Sequence, residues 1–535
     1  MNDFRQFTAL VNVFLKGVMS SGSSHIAGKN KKNRKSRNGM NGFLIFLGAF
    51  IAGYSFMYSE LFMGSFIKAG RPDMLFIVWS VIAILCPAFI GINGASSFIF
   101  GGKDNSILLP APISPTVLMA AKTMSLYEEN LFFTILIMVP AGIVYMMHES
   151  VSAAGAVMFI IGAVIMPLFP CIADMVIGAL IAAFGSRSKH KTLVTNAISL
   201  AFIVGIMVWG FTRNSDPYQT ADIAGITKAT GWCVPAVWFS QASAGNSFKA
   251  FILFAASAVL IFVLTAYIIS RSYMDIISRS SAVSVRHDYR LGHMQKSGQL
   301  KAVYNKELKK IFGTSAYFLN CAMGAVMLLI FAAISASGLG AGKALSEIPA
   351  EYAGYAYAGS IIAMLFCIAM SPTTAVSISV EGKNLWILKE SPVPVSTIFK
   401  AKILANLTIT VPSVIAGGIL FAFGMKYSPA EFLFFIMIGL ICCVMSSIYG
   451  LALNLRYPKL DAVNEVYIYK RSASIGFAIL ISFIMTAAAA GVMFGAMYLF
   501  GLYAASSILA ALGLLLTFIL YVRLRNKGEA VFERL

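Results

Sequence analysis

The sequence predicts an all-α polytopic membrane protein: about twelve transmembrane helices as two parallel six-helix halves, with the N- and C-termini cytoplasmic. Three observations predict it. The composition suits lipid, the apolar runs have spanning length, and Lys and Arg alternate from one inter-run segment to the next. Of 535 residues, 59% are hydrophobic and 12% charged, whereas a soluble domain is about 25% charged. The 44 glycines and 41 phenylalanines fit the same class, since small residues let helices approach and aromatics fill lipid-facing positions. The seven cysteines have no metal-ligand spacing and read as small core residues, with no disulfide framework.

In chain order, residues 1–41 come first. They lack the apolar region of a cleavable signal. Phe4, Phe7, Leu10, Val11, Phe14 and Leu15 recur at helical spacing, which predicts an amphipathic helix at the membrane surface. Lys29 to Arg37 is a basic run expected to be a flexible cytoplasmic linker near anionic lipid, with no nucleic-acid partner. Spanning takes about 20 apolar residues. That length places the first six spans near 42–66, 73–94, 130–147, 152–184, 193–212 and 250–270. The second six fall near 315–335, 355–376, 405–425, 430–454, 474–499 and 502–522. Pro167 and Pro170 interrupt the fourth run, which is either one kinked span or a re-entrant turn.

The positive-inside rule tests this assignment. With the N-terminus inside, 34 of the 41 Lys and Arg fall on inner segments. Seven remain outside: Lys68, Arg71, Arg213, Lys228, Lys249, Lys343 and Lys426. The net charge of +19 is therefore topological. An even number of spans per half makes the repeat parallel, related by an axis along the membrane normal. The chain divides into 1–41 (amphipathic helix and basic linker), 42–270 (first half), 271–314 (linker), 315–522 (second half) and 523–535 (cytoplasmic tail). Within the linker, Leu300 to Phe312 with Lys306, Glu307, Lys309 and Lys310 predicts a second amphipathic helix, matching residues 4–15 in role. The outer loop 213–249, with Pro217, Trp232, Pro235 and Trp238-Phe239, predicts interfacial anchors and a short re-entrant or surface helix. The matching position between the last two spans is almost loopless.

A polar stretch occurs twice, 280 residues apart. Gly102-Lys103, Ile107-Leu108, Pro112 and Ala121-Lys122 align without a gap with Gly382-Lys383, Ile387-Leu388, Pro392 and Ala401-Lys402. Each copy lies between the second and third spans of its half, on the cytoplasmic side, where it could take force from a soluble partner. Intramembrane chemistry is sparse. No histidine falls inside a span, so a metal site is not expected. Glu128-Glu129 reads as acidic placement at the start of the third span. Asp174 and Glu60 are the possible in-membrane polar sites; Asp174 would be solvated if it lay at the cytoplasmic end of the fourth run. Gly340 to Ala344 fails as a phosphate loop, because Ser337 stands where the first Gly is needed and no Ser or Thr follows Lys343. Gly491 and Gly495 are spaced for a close helix contact.

Gly102-Lys103-Asp104 with Pro112-Ile113-Ser114 and Ala121-Lys122, repeated as Glu381 to Leu388, Pro392 and Ala401-Lys402, resembles the duplicated permeases of bacterial type-two ABC exporters. Lys306 to Lys309, Pro235 to Phe239 and the terminal Gly528 to Glu533 are similar to the same family. The resemblance implies a permease of the bacterial cell membrane with elbow helices before each half and two coupling loops. ATP and Mg would be held by separate ATPase subunits, two of them, and no cofactor or catalytic residue by this chain. The coupling residues it implies are Gly102, Lys103, Asp104, Pro112, Lys122, Glu381, Gly382, Lys383, Pro392 and Lys402. The first copy departs at Gly101, opposite Glu381, and the second at Pro394, opposite Ser114. Membrane lipid is the other expected partner, with the substrate unassigned. The alternatives are an ion-coupled secondary carrier and a membrane enzyme acting on lipid-linked substrate.

Overall fold

The structure is a computed structural model that describes residues 3–19, 31–100, 108, 110–185, 197, 200–201, 204–205, 231–282, 297–338, 345, 348–460, 468–469 and 472–535. Among them there is no strand, and the protein is an all-α polytopic membrane protein. Among the described residues, eight helical stretches are long and apolar enough to cross a bilayer, and two shorter apolar helices lie at 74–89 and 323–336. Outward side chains such as Phe423, Leu433 and Tyr498 are 79%, 67% and 86% exposed. An apolar surface of this kind belongs in hydrocarbon.

Helix α1 (Asp3–Met19) precedes α2 (Lys31–Lys68). The basic run is thus helical from Lys31 rather than a flexible linker, because Lys and Arg extend a helix already nucleated by the apolar segment after it. The second span is α3 (Met74–Ala95), closed by a π-helical turn, Ser96–Phe100. The third is α4 (Pro115–His148), which starts well before the apolar run, since Pro115 at the first turn has its backbone angle set for a helix start. Glu128-Glu129 therefore lies deep inside a helix and not at its N-terminus. The fourth run is two helices, α5 (Ala153–Ile165) and α6 (Leu168–Gly185). Phe169 N bonds Met166 O and Cys171 N bonds Pro167 O across the junction, so helical bonding resumes at once beyond the break. The fifth span lies almost wholly outside the described residues. Helix α7 (Val234–Ser243) is the short outer helix, and α8 (Phe248–Ala282) the sixth span. Phe239 is not an interfacial anchor: it is buried among Phe76, Phe159 and Phe254, while Trp232 is exposed.

The second amphipathic helix is α9 (Gln299–Gly313). The seventh span is split at Ala322 into α10 (Ser315–Cys321) and α11 (Met323–Ala336). The eighth, α12 (Ala353–Ala369), ends earlier than its apolar run; Pro372 halts the α-helix and the chain continues in 3-10 turns at 373–375 and 379–384. A short helix α13 (Leu385–Glu390) follows, then α14 (Val395–Met425) and α15 (Pro429–Arg456), the latter opened by a capping box between Ser428 and Glu431. The last spans, α16 (Ala473–Phe500) and α17 (Leu502–Glu533), are joined by Gly501 alone, at φ 84°. Only glycine takes that angle without strain. The tail 523–535 is thus mostly helix, a continuation of α17. Gly491 and Gly495 have open space where a Cβ would stand, so they make no close helix contact in this chain.

Two compact units result, with main stretches 44–195 plus 219–285 and 286–535. In the first, Phe76, Trp79, Met138, Phe159 and Phe239 centre the core; in the second, Leu328, Ile361, Met364, Phe435 and Cys443 do.

Candidate functional site

The site of interest is the second copy of the repeated stretch and the three helices that hold it. Its residues start from an irregularity in α9. Val303, Glu307 and Ile311 recur at four-residue spacing and are all buried, so a carboxylate sits in the middle of an apolar stripe. Lys402, two turns into α14, has no exposed side-chain surface. Its Nζ donates to Glu307 Oε1 at 2.7 Å, to the Ser377 carbonyl at 2.9 Å and to Glu381 Oε1 at 3.3 Å. Glu381 also accepts from Lys306 Nζ at 3.0 Å on each oxygen and from Lys310 Nζ at 3.1 Å. Three ammonium groups and two carboxylates thus join α9, the turn after α12, and α14. Burial pushes the Lys310 ammonium toward losing its proton, and the adjacent Glu381 carboxylate opposes this.

The backbone around the cluster is pinned as well. Asn454, buried near the end of α15, accepts from Ile378 N at 2.7 Å and Ser379 N at 3.1 Å, and donates to Ser379 Oγ at 2.7 Å. Tyr317 Oη donates to the Thr373 carbonyl at 3.0 Å. Gly382 then turns the chain with φ 56° and ψ −134°, separating buried Glu381 from exposed Lys383. Beyond it, α13 buries Leu385 and Leu388 and leaves Trp386 and Ile387 62% and 53% exposed. Lys389 Nζ donates to the Glu533 carbonyl at 3.1 Å, and Phe532 packs edge-on against Phe399. A Cβ on Gly528 would fall 2.9 Å from that Phe399 ring, which fits the glycine of the terminal motif to this contact. Pro392 is exposed, and its carbonyl accepts from Gln299 Nε2 at 3.0 Å.

The first copy is only partly described. Gly102, Lys103 and Asp104 lie outside the described residues. Pro112 is exposed, and its carbonyl accepts from Gln6 Nε2 of α1 at 3.1 Å, the same contact as Gln299 to Pro392. Lys122 is buried in α4, and its Nζ donates to the Ile99 carbonyl at 3.2 Å. Lys122 and Lys402 therefore sit inside their helices, where the resemblance led to coupling-loop contacts. Leu10 and Phe14 of α1 are buried against Ile99, Phe100, Leu118 and Met119, so that part of the stripe faces protein and not lipid.

Asp174 and Glu60 are far from this site in chemistry. Asp174 is fully buried in α6, not solvated, with Asn130 Nδ2 donating to its Oδ2 at 3.1 Å. Gly91 makes room for it, since a Cβ there would fall 2.2 Å from Asp174 Oδ1. In the second half Asn406 of α14 is also buried and donates to Ser447 Oγ at 2.7 Å. Glu60 Oε2 lies 3.5 Å from His148 Nε2, both about a third exposed. Among the described residues no group of His, Cys, Asp and Glu could hold a metal ion.

The resemblance named Glu381 and Lys402, but sequence reasoning missed Glu307 as the partner of Lys402, and Asn454 and Tyr317 as the side chains that pin the backbone before Glu381. The signal for Glu307 was its position on the apolar face of α9. Asn454 and Tyr317 carry no comparable signal.

A family described as a membrane protein of 12 TMs matches residues 43–523. No curated protein and no solved structure matches the chain.

Proposed function

The chain belongs to this family of twelve-span membrane proteins, and from that premise we propose that it is the permease subunit of an ATP-driven exporter in a bacterial cell membrane. It performs no catalysis itself; separate ATPase subunits, two of them, bind ATP and Mg and act on the repeated stretches. The observation that carries the reading is the pairing of a rigid back with an exposed front on the second stretch. The front is Trp386 and Ile387 on α13, with Lys383 beside them. Aromatic side chains of this kind, ringed by polar groups, are common binding hot spots. The back is the Glu307–Lys402–Glu381 cluster, which makes α9, the Gly382 turn and α14 move together. A push on α13 is then transmitted to a spanning helix rather than absorbed by a loose loop.

The test is co-purification with an ATPase encoded beside this chain. Trp386→Ala with Ile387→Ala is expected to lose association and transport while the permease remains folded. Reversal of Lys103 and Lys383 to Glu is expected to weaken both. Association and transport at wild-type level in both variants would overturn the reading. An ion-coupled carrier is the second reading, favoured by buried Asp174 beside Asn130. Transport that needs a proton gradient, persists without ATP and is lost in Asp174→Asn would select it.

A further inference from the structure

The second unit contains a cavity of about 280 Å³ between α12, α15, α16 and α17, with Ile441, Met445, Thr486, Ala489, Leu512 and Leu515 among its walls. We propose that it is a binding site for the acyl chain of a membrane phospholipid. The proposal does not depend on the exporter reading, only on the chain's being embedded in a membrane.

Three observations specify hydrocarbon. The walls are apolar, with four hydroxyls, and those of Ser446, Tyr449 and Ser482 are already engaged. Ser482 and Tyr449 share a hydrogen bond, Ser482 Oγ also donates to the Ala478 carbonyl at 2.7 Å, and Ser446 Oγ donates to the Cys443 carbonyl at 3.0 Å. A polar ligand finds few free donors here, and water needs 2–4 polar partners to settle. The cavity also lies at mid-span. Its walls come from the central turns of α15, α16 and α17. Finally, it is continuous with the outward surface: Leu512, Leu515 and Leu516 line it and are themselves 41%, 55% and 43% exposed. The hydrocarbon that meets this surface in a bilayer is a lipid tail, which can enter sideways past these leucines. The size lies just under the roughly 300–1,000 Å³ of small-molecule sites, which suits part of one chain rather than a whole lipid.

The experiment uses the full chain in phosphatidylcholine vesicles doped with a phospholipid bearing a diazirine at mid-chain. After photolysis, adducts are mapped by mass spectrometry. Adducts are expected at Met445, Thr486 and Ala489 in excess of those at Phe423, an exposed residue on the outer face of α14. A matched phospholipid with the diazirine on its headgroup is expected to leave those three residues unlabelled. Ala489→Phe and, separately, Ala510→Leu should fill the cavity and remove the adducts at Met445 and Thr486 while labelling of Phe423 stays. Mid-chain labelling no stronger than at Phe423, equal labelling by the headgroup probe, or adducts that persist in a folded filling variant would each overturn the proposal. The two wild-type arms decide it alone if neither variant folds.

Discussion

Both halves tie an amphipathic helix to the stretch after the second span, but they do so with different chemistry. The link between helix and stretch is the same: Gln6 to the Pro112 carbonyl and Gln299 to the Pro392 carbonyl. Aligned on these glutamines, Leu10 falls under Val303 and Phe14 under Glu307. The first pair is apolar in both halves. The second is a ring packed edge-on to Phe98 in α1, at 6.1 Å, and in α9 a carboxylate on Lys402 at 2.7 Å. The loop residue differs in step, with Gly101 opposite Glu381. The second half thus couples helix to loop through charge, which is directional and fails sharply when one partner is lost. Among the described residues, the first half holds α1 through packing, which tolerates small displacements. The preceding turns differ as well, a wide π turn at 96–100 against 3-10 turns at 373–375 and 379–384. This argues that the two stretches respond unequally to a push.

The largest effect expected is at Lys402. Lys402→Met leaves Glu307 buried without its partner and should cost about 3–5 kcal/mol of stability, read by thermal or denaturant unfolding in detergent. Adding Glu307→Leu should restore most of that loss. A double variant as unstable as the sum of its singles would break the ionic description of the second half. Next, Phe14→Ala should cost about 3 kcal/mol and speed amide exchange in α1 while leaving α9 protected. Exchange rising equally in both helices would show that the two anchors are not independent. Gly382→Ala forces a side chain into a left-handed backbone and should cost about 1–3 kcal/mol. Unchanged stability there would mean that the turn relaxes freely and cannot transmit force. The smallest effect is at Lys306, whose side chain is 43% exposed. Lys306→Ala should cost no more than about 1 kcal/mol, and less in high salt. A loss as large as that of Lys402→Met would place the anchor on the wrong lysine.

Most of the fold was legible, because in a bilayer every backbone polar group must be bonded within the segment. Helices were therefore the only reading of the long apolar runs. What was misplaced were ends. Helices α4 and α14 begin at 115 and 395, well before their apolar runs, because prolines start them while the residues are still polar. Helix α12 stops at Ala369, although Ser377 and Ile378 remain buried, because 3-10 turns carry the chain on inside the protein. Asp174 shows the same limit from another side. Its cost in lipid is visible in the residue type, but its partner Asn130 lies 44 positions away.

By itself the sequence determined the membrane class, the helical fold and the repeat at 280 residues, since each depends on composition, local period or spacing; the candidates Glu381 and Lys402 came from the resemblance carried by that repeat. Only the tertiary structure decided that Lys402 is an internal anchor and that Glu307, 95 positions away, is its counterion. Apolar periodicity records which face of a helix is buried. It does not record which buried charge on another helix that face will meet, and only packing brings the two within hydrogen-bond range.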